Sequence, residues 1–501
     1  MNRKFFLLTL VLALALCLFA GCEEVPGETT TQAPTTTAPI EHLAAVVTED
    51  TIGLLDSYKD LKSLDLTGST CYEAMMQYIQ THPQVDVQYT VALGTVTADR
   101  NATFLELDPG ACDYETLAAN LAYLPKVTQV KLHRTTYSAQ ELTALEGLYP
   151  EIAWDYTIIL LGQELTRETT AVNLSVLTPD RVPEAAEMLS IFPALTSVEL
   201  MDGYGKCSLS KEDVKLLMDA LPNARFHYSF QLFGKTVSTE DTRIEFVKQE
   251  IGNEGEAEIR AALGVLPNCE YLLLEDCGID YEILAGIRDD FRETTKVVWR
   301  VYFGKTDRYT YLTDTDTVRC VYNVTNETCD PMKYLEEVKY MDLGHNDTLS
   351  NIDFIAYMPE LEICILSGSA IESLEPFANS TKLIFLELAY CGLITDISPL
   401  AGCTSLENLN ISYTKAKDMS ALYELPLKQL CAVVSKIPYS AQKELKELIP
   451  DCSFRFDGTQ PYGTGWRYKK SGAYTEIYAK VREVFELDEV DKRLEASKNN
   501  N

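Results

Sequence analysis

VKYMDLGHN (338–346), LEICILSGS (361–369), LIFLELAYC (383–391) and LENLNISYT (406–414) are four copies of one pattern, LxxLxLxxN, spaced 22–23 residues apart. Inside each copy apolar and other residues alternate, which is the period of a short half-buried strand. The final position is Asn, Ser, Cys or Thr, each small and able to hydrogen-bond turn backbone. A second apolar set follows each strand, as in Ile394, Ile397 and Leu400, and a degenerate fifth copy holds Leu427 and Leu430. A fixed repeat of this length means stacked units that bury their apolar faces on one another. Stacking places equivalent outward positions in columns: Tyr340, Ile363, Phe385, Asn408 and Gln429 in one, and Asp342, Ile365, Glu387 and Asn410 in the next. At the strand exits His345, Gly368, Tyr390 and Tyr413 line up.

Upstream, the chain repeats on a longer scale. HPQVDVQYTVALG, YPEIAWDYTIILLG, LPNARFHYSFQLFG and FRETTKVVWRVYFG end at Gly94, Gly162, Gly234 and Gly304, which lie 68, 72 and 70 residues apart. Within these units, helical spacing runs up to a proline and a short strand follows. Examples are Leu117, Leu121 and Leu124 before Pro125, and Ile259, Leu263 and Leu266 before Pro267. Residues three and four apart share a helix face, and proline stops the helix. Ser138 with Glu141 and Ser210 with Asp213 have capping-box spacing, and Thr178-Pro179 puts proline at a first helical position. A doubly wound nucleotide-binding sheet would alternate in the same way. It should also carry a Gly-rich phosphate loop, and neither GxGxxG nor GxxxxGKS/T occurs.

The 338–414 copies closely resemble the leucine-rich repeats of internalin-like bacterial surface proteins. The resemblance covers about a quarter of the chain. It implies an α/β solenoid of the leucine-rich-repeat type, with short parallel strands alternating with helices or turns, preceded here by the longer α/β repeats of about 70 residues. It further implies adhesion or ligand capture. The expected organisation is a leader at 1–21, a Thr/Pro-rich linker at 22–42, an α/β repeat domain at 43–330 and leucine-rich repeats at 331–456. Residues 457–501 then supply a helix over 474–487, expected to cap the open end of the solenoid, and a disordered ASKNNN end.

The chain has 501 residues, 46% of them hydrophobic and 24% charged, an ordinary globular composition. Its 43 Lys and Arg against 75 Asp and Glu give a net charge of −32, which disfavours nucleic acid and anionic lipid as partners. The N-terminal MNRKFFLLTLVLALALCLFAGC has a basic start, an apolar stretch and a small-residue exit, the anatomy of an export signal. Phe19-Ala-Gly-Cys22 resembles a bacterial lipobox, and that resemblance implies lipidation of Cys22. The expected location is therefore the cell membrane, lipid-anchored on its extracytoplasmic face. The following Thr/Pro stretch reads as a spacer.

Catalytic motifs are missing: GxSxG and HExxH do not occur, and the three SxxK matches lack their companion motifs. Adjacent acidic pairs such as Asp289-Asp290 point about 100° apart on a helix, so they cannot flank one bond. The run TDTDT (313–317) lacks the Gly and distal Glu of a calcium loop. No cofactor and no metal are expected. The twelve body cysteines read as buried thiols, with Cys320 and Cys329 the pair most open to a disulfide. The expected activity is non-catalytic binding of a protein or glycan at the cell surface. The expected contact residues are the outward positions Tyr340, Asp342, Ile365, Phe385, Glu387, Tyr390, Asn408, Asn410 and Tyr413; the other reading of Ile363, Ile365 and Phe385 is that they pack beneath the tail or a neighbouring chain. An envelope enzyme or enzyme accessory is the alternative, with Trp299, Tyr302 and Tyr228 as subsite aromatics.

Overall fold

The computed structural model describes residues 39–306 and 309–499. The leader, Cys22 and most of the 22–42 spacer lie outside these described residues. Among them, no helix is long and apolar enough to cross a membrane.

The repeats form one parallel sheet of seven strands in sequence order: Thr317–Arg319, Tyr340–Asp342, Ile363–Ile365, Phe385–Glu387, Asn408–Asn410, Gln429–Cys431 and Ser453–Arg455. Register is constant, so Met341 pairs with Cys364, then Leu386, Leu409 and Leu430. This spine, with Leu343, Leu366, Leu388 and Ile411, is fully buried. The return leg of each repeat is too short for an α-helix and makes a 3-10 turn instead, as at Asp353–Tyr357, Glu375–Phe377 and Ser398–Gly402. Only the last return is a full helix, Tyr439–Leu448.

The closing position of the motif works as its chemistry suggests. Buried Asn346 donates to the carbonyls of Leu343 (2.7 Å) and Cys320 (2.9 Å) and accepts from the Val324 amide (2.8 Å). Thr414 donates to Ile411 O and Cys391 to Leu366 O. Ser369 departs from this, since its buried hydroxyl has no partner.

The longer repeats have a composite design. Parallel strands in sequence order alternate with helices, as in Ala171–Asn173, Ser197–Glu199 and Arg225–His227, or Arg243–Val247, Tyr271–Glu275 and Lys296–Val298. Each set then ends in an antiparallel hairpin, such as Ser229–Leu232 with Lys235–Ser238. The conspicuous glycines are the turns of these hairpins. At Leu161-Gly162 and Phe233-Gly234 both residues have positive φ (50° and 79°, 48° and 81°), the two-residue turn that matches strand twist and needs glycine. The Ser210–Asp213 capping box forms as expected, whereas Thr178-Pro179 opens a 3-10 turn ahead of the helix Val182–Ser190.

Contacts divide the chain into two compact units. One runs up to Lys131 and includes Leu148–Trp154; the other comprises Leu132–Gly147 and the chain from Asp155 onward. In the first, His42–Ala44, Ser63–Asp65 and Asp86–Gln88 pair in parallel around buried Leu64 and Val87. The twelve cysteines are unpaired thiols, all buried except half-buried Cys207, so Cys320 and Cys329 form no disulfide. Burial raises the pKa values of Cys320, Cys391 and Cys403, that of Cys403 to about 12.

Candidate functional site

The two outward columns align as the spacing requires, Tyr340 through Gln429 and Asp342 through Asn410 in continuous register. They do not face solvent. Residues 459–485 return across the concave sheet, and a second apolar cluster forms between Ile363, Ile365, Phe385, Cys431 and Val433 on the sheet and Trp466, Tyr478, Val481 and Phe485 above it. The helix Glu476–Val484, capped by Thr475, thus covers the concave face, where a cap over the open end was expected. A further helix, Leu487–Asn499, runs into the stretch expected to be disordered.

Each expected contact residue can now be placed. Phe385 stacks on Trp466 with ring centres 5.1 Å apart. Glu387, fully buried, accepts from Trp466 Nε1, from Arg467 Nη2 at 3.2 Å and from Ser367 Oγ at 3.2 Å. Asn410 donates to Pro461 O at 3.1 Å. Asn408 and Ile365 are buried, and half-buried Tyr340 lies under Lys480, 5.3 Å from its ring centre. The chain itself therefore occupies Ile365, Phe385, Glu387 and Asn410, because an apolar column flanked by carboxylate and amide suits its own Trp, Arg and backbone carbonyls, while Asn408 donates to Ile384 O within the sheet.

Asp342 is buried against Arg319, whose Nε lies 3.1 Å away, and accepts from the Gly344 amide at 3.0 Å. Desolvation outweighs both and raises its pKa above 3.8. A carboxyl with a raised folded-state pKa holds its proton to higher pH in the folded chain than in the unfolded one. Its contribution to stability is therefore present at acid pH and lost as pH rises from 3.8 through the raised value. Asp342→Asn is expected to remove that slope. Urea midpoints of wild type and variant, measured from pH 4 to 7, check it; parallel curves would refute it.

What stays open is the row at the strand exits, with Tyr322, His345, Tyr390 and Val434 exposed and Tyr413 half-buried, its hydroxyl donating to Thr459 O at 2.8 Å. Tyr322, His345, Gly368, Tyr390, Tyr413 and Val434 occupy one position in six successive repeats, and all have φ between 53° and 81°. The left-handed turn carries the parallel ladder one step beyond the strands: the amides of His345, Gly368, Tyr390 and Tyr413 donate to the carbonyls of Ser367, Ala389, Ser412 and Val433 at 2.7–3.0 Å. It also turns each side chain outward. Tyr322 stacks on His345 at 5.0 Å and Tyr390 on Tyr413 at 4.4 Å. Tyr322 is 65% exposed and Tyr390 45%. Gly368 separates the two pairs. Strands lie about 4.8 Å apart, so His345 and Tyr390 stand about 10 Å apart with no side chain between them. Tyr390 and Tyr413 were expected in the contact set; Tyr322 was not, although its repeat is readable.

The alternative subsite aromatics are not a surface. Trp299 and Tyr228 are buried, and only Tyr302 is exposed. Asp314 of the TDTDT run accepts from the Tyr271 hydroxyl at 3.1 Å.

No family model and no curated protein matches the chain. Among solved structures it is similar to an internalin from Listeria monocytogenes, at 14% identity over 68% of this chain and 78% of that one, with a TM-score of 0.26. It is also similar to internalin C2 of the same species (19%, 51% and 80%, TM-score 0.23) and to a leucine-rich-repeat protein from Leptospira interrogans (14%, 82% and 93%, TM-score 0.28). The leucine-rich-repeat-type solenoid is established by the strand order, the register and the motif contacts of the chain itself.

Proposed function

We propose that this chain is a non-catalytic repeat scaffold, held by a lipid on Cys22 at the extracytoplasmic face of the cell membrane, that captures a protein or glycan ligand. The observation that carries the binding reading is the exposed aromatic ladder at the strand exits, broken at Gly368. Planar side chains at fixed spacing give large contact area at small entropic cost, and a slot between two stacked pairs suits a ring or flat side chain of the ligand. The export signal and lipobox support the location, and the net charge of −32 argues against nucleic acid as the ligand.

Binding of the whole protein to glycan and cell-surface-protein arrays tests the reading, with Tyr390→Ala/Tyr413→Ala and Gly368→His variants alongside. The row already accommodates His and Tyr at positive φ, so Gly368→His fills the slot at a cost of about 1–2 kcal/mol. Either change is expected to weaken a hit at least about tenfold, as losing a central aromatic anchor does. Hits that both variants retain would sink the ladder as the site. Cys22→Ala should abolish incorporation of labelled fatty acid; retained label would refute the anchor.

A further inference from the structure

A cleft of about 890 Å³ opens between the last strands of the leucine-rich sheet and the segment that crosses them. That volume lies within the range of small-molecule sites. In a chain of 43 basic and 75 acidic residues, its wall carries Lys428, Arg455, Lys469, Lys470 and Lys480 against only Glu407 and Glu476. Three of these cations are committed: Lys428 to Glu407 (2.6 Å), Lys469 to Glu476 (3.4 Å) and Lys480 to Glu362 (2.9 Å).

Arg455 is not. It ends the last strand, Ser453–Arg455, and continues the column of Asp342, Ile365, Glu387, Asn410 and Cys431. No carboxylate among the described residues lies within ion-pair distance of it, and its Nη1 is buried with no acceptor. A glycine-rich loop passes over the guanidinium: a Cβ at Gly463 would stand 3.6 Å from Nη2 and 3.7 Å from Nη1. The loop therefore packs on the planar group without offering it a charge. Lys470, on the same wall, is exposed and also without an ion-pair partner.

A guanidinium and an ammonium on one cleft wall, neither with an ion-pair partner among the described residues, suit an oxyanion. We propose that this cleft binds a small oxyanion, a carboxylate or phosphate group, held by the charge of Arg455 and neutralised further by Lys470. The site is separate from the aromatic ladder and holds or fails independently of it. The long-range field of a chain at −32 repels anions, so selectivity for the cleft arises from short-range geometry rather than from steering.

Titration calorimetry of the whole protein tests this, with citrate as the carboxylate probe and inorganic phosphate as the phosphate probe. A saturable one-site isotherm is expected for at least one of them. Arg455→Gln, which removes the charge and keeps a polar side chain, should weaken it about tenfold or more, and exposed Lys470→Ala about threefold, as loss of the half-buried and the solvent-screened cation implies. Tighter citrate assigns a carboxylate ligand and tighter phosphate a phosphate ligand. Saturation by neither probe, or affinity unchanged in Arg455→Gln, overturns the proposal. If Arg455→Gln does not fold, exposed Lys470 keeps the test: unchanged affinity in Lys470→Ala then overturns it.

Discussion

A Trp466→Ala variant is expected to lose about 3–5 kcal/mol of the free energy that holds residues 459–485 on the concave sheet, the usual cost of removing a fully buried large aromatic. Trp466 is 1% exposed, stacks on Phe385 and donates its ring N–H to Glu387. Its loss leaves a void over the middle strand and takes a donor from a buried carboxylate. The repeats below have a separate core of leucines, cysteines and methionines, so the damage should be local, a partial opening rather than global unfolding. Amide hydrogen exchange checks this: amides of the Glu476–Val484 helix should exchange about 150- to 5,000-fold faster, while those of Leu386 and Leu409 change little. Equal acceleration in both places would mean that the covering segment and the repeats unfold as one body.

The repeat architecture was readable because the signal is local and redundant. Four nine-residue copies in register determine which side chains point inward, and the structure adds only the connection geometry. The first copy went unread, although Val318, Cys320 and Asn323 stand 23 residues before Met341, Leu343 and Asn346. Its strand, Thr317–Arg319, pairs with Tyr340–Asp342 like any other. Cysteine in a leucine place and the polar stretch around it weakened the pattern without changing the geometry. The hairpins of the long repeats were also unread. An aromatic strand followed by glycine states a turn only when the returning strand is recognised, and KTVS or QELT carries little hydrophobic signal of its own.

The candidate site was legible in its columns and not in their exposure. Spacing fixes that Phe385, Glu387 and Asn410 share a face, but whether that face meets water depends on a segment about 50 to 100 residues further on. Trp466, Tyr478, Val481 and Phe485 read as an amphipathic helix with an aromatic turn before it, which fits a cap and a cover equally well. Apolar Ile363, Ile365 and Phe385 in outward positions were the available hint, since two neighbouring strands seldom leave such a patch bare. The strand-exit row needed less, since its alignment follows from the repeat spacing; its exposure holds for Tyr390, while Tyr413 is half-buried with its hydroxyl on Thr459 O.

Arg467→Met should cost a comparable 3–5 kcal/mol by a different route, because it leaves a buried carboxylate without its cation. Glu387 is fully buried, and the Arg467 guanidinium is its only ion-pair partner among the described residues; it also stands over the rings of Tyr462 (4.1 Å) and Tyr478 (4.8 Å). Methionine fills much of the same volume, so packing on those rings survives and the charge is what disappears. Adding Glu387→Gln should then restore most of the loss. An amide in that place can accept from Trp466 with its oxygen and donate to the Ser367 hydroxyl with its nitrogen, and nothing charged remains to be desolvated. The two single changes and the double change form a cycle read by urea midpoints, and the expected result is strong non-additivity, with the double variant more stable than Arg467→Met alone. Additive losses would show that Arg467 acts through its ring contacts. The pair would then be a by-product of how the covering segment docks, and the carboxylate in the middle of the concave sheet would be held by the Trp466 indole and the Ser367 hydroxyl.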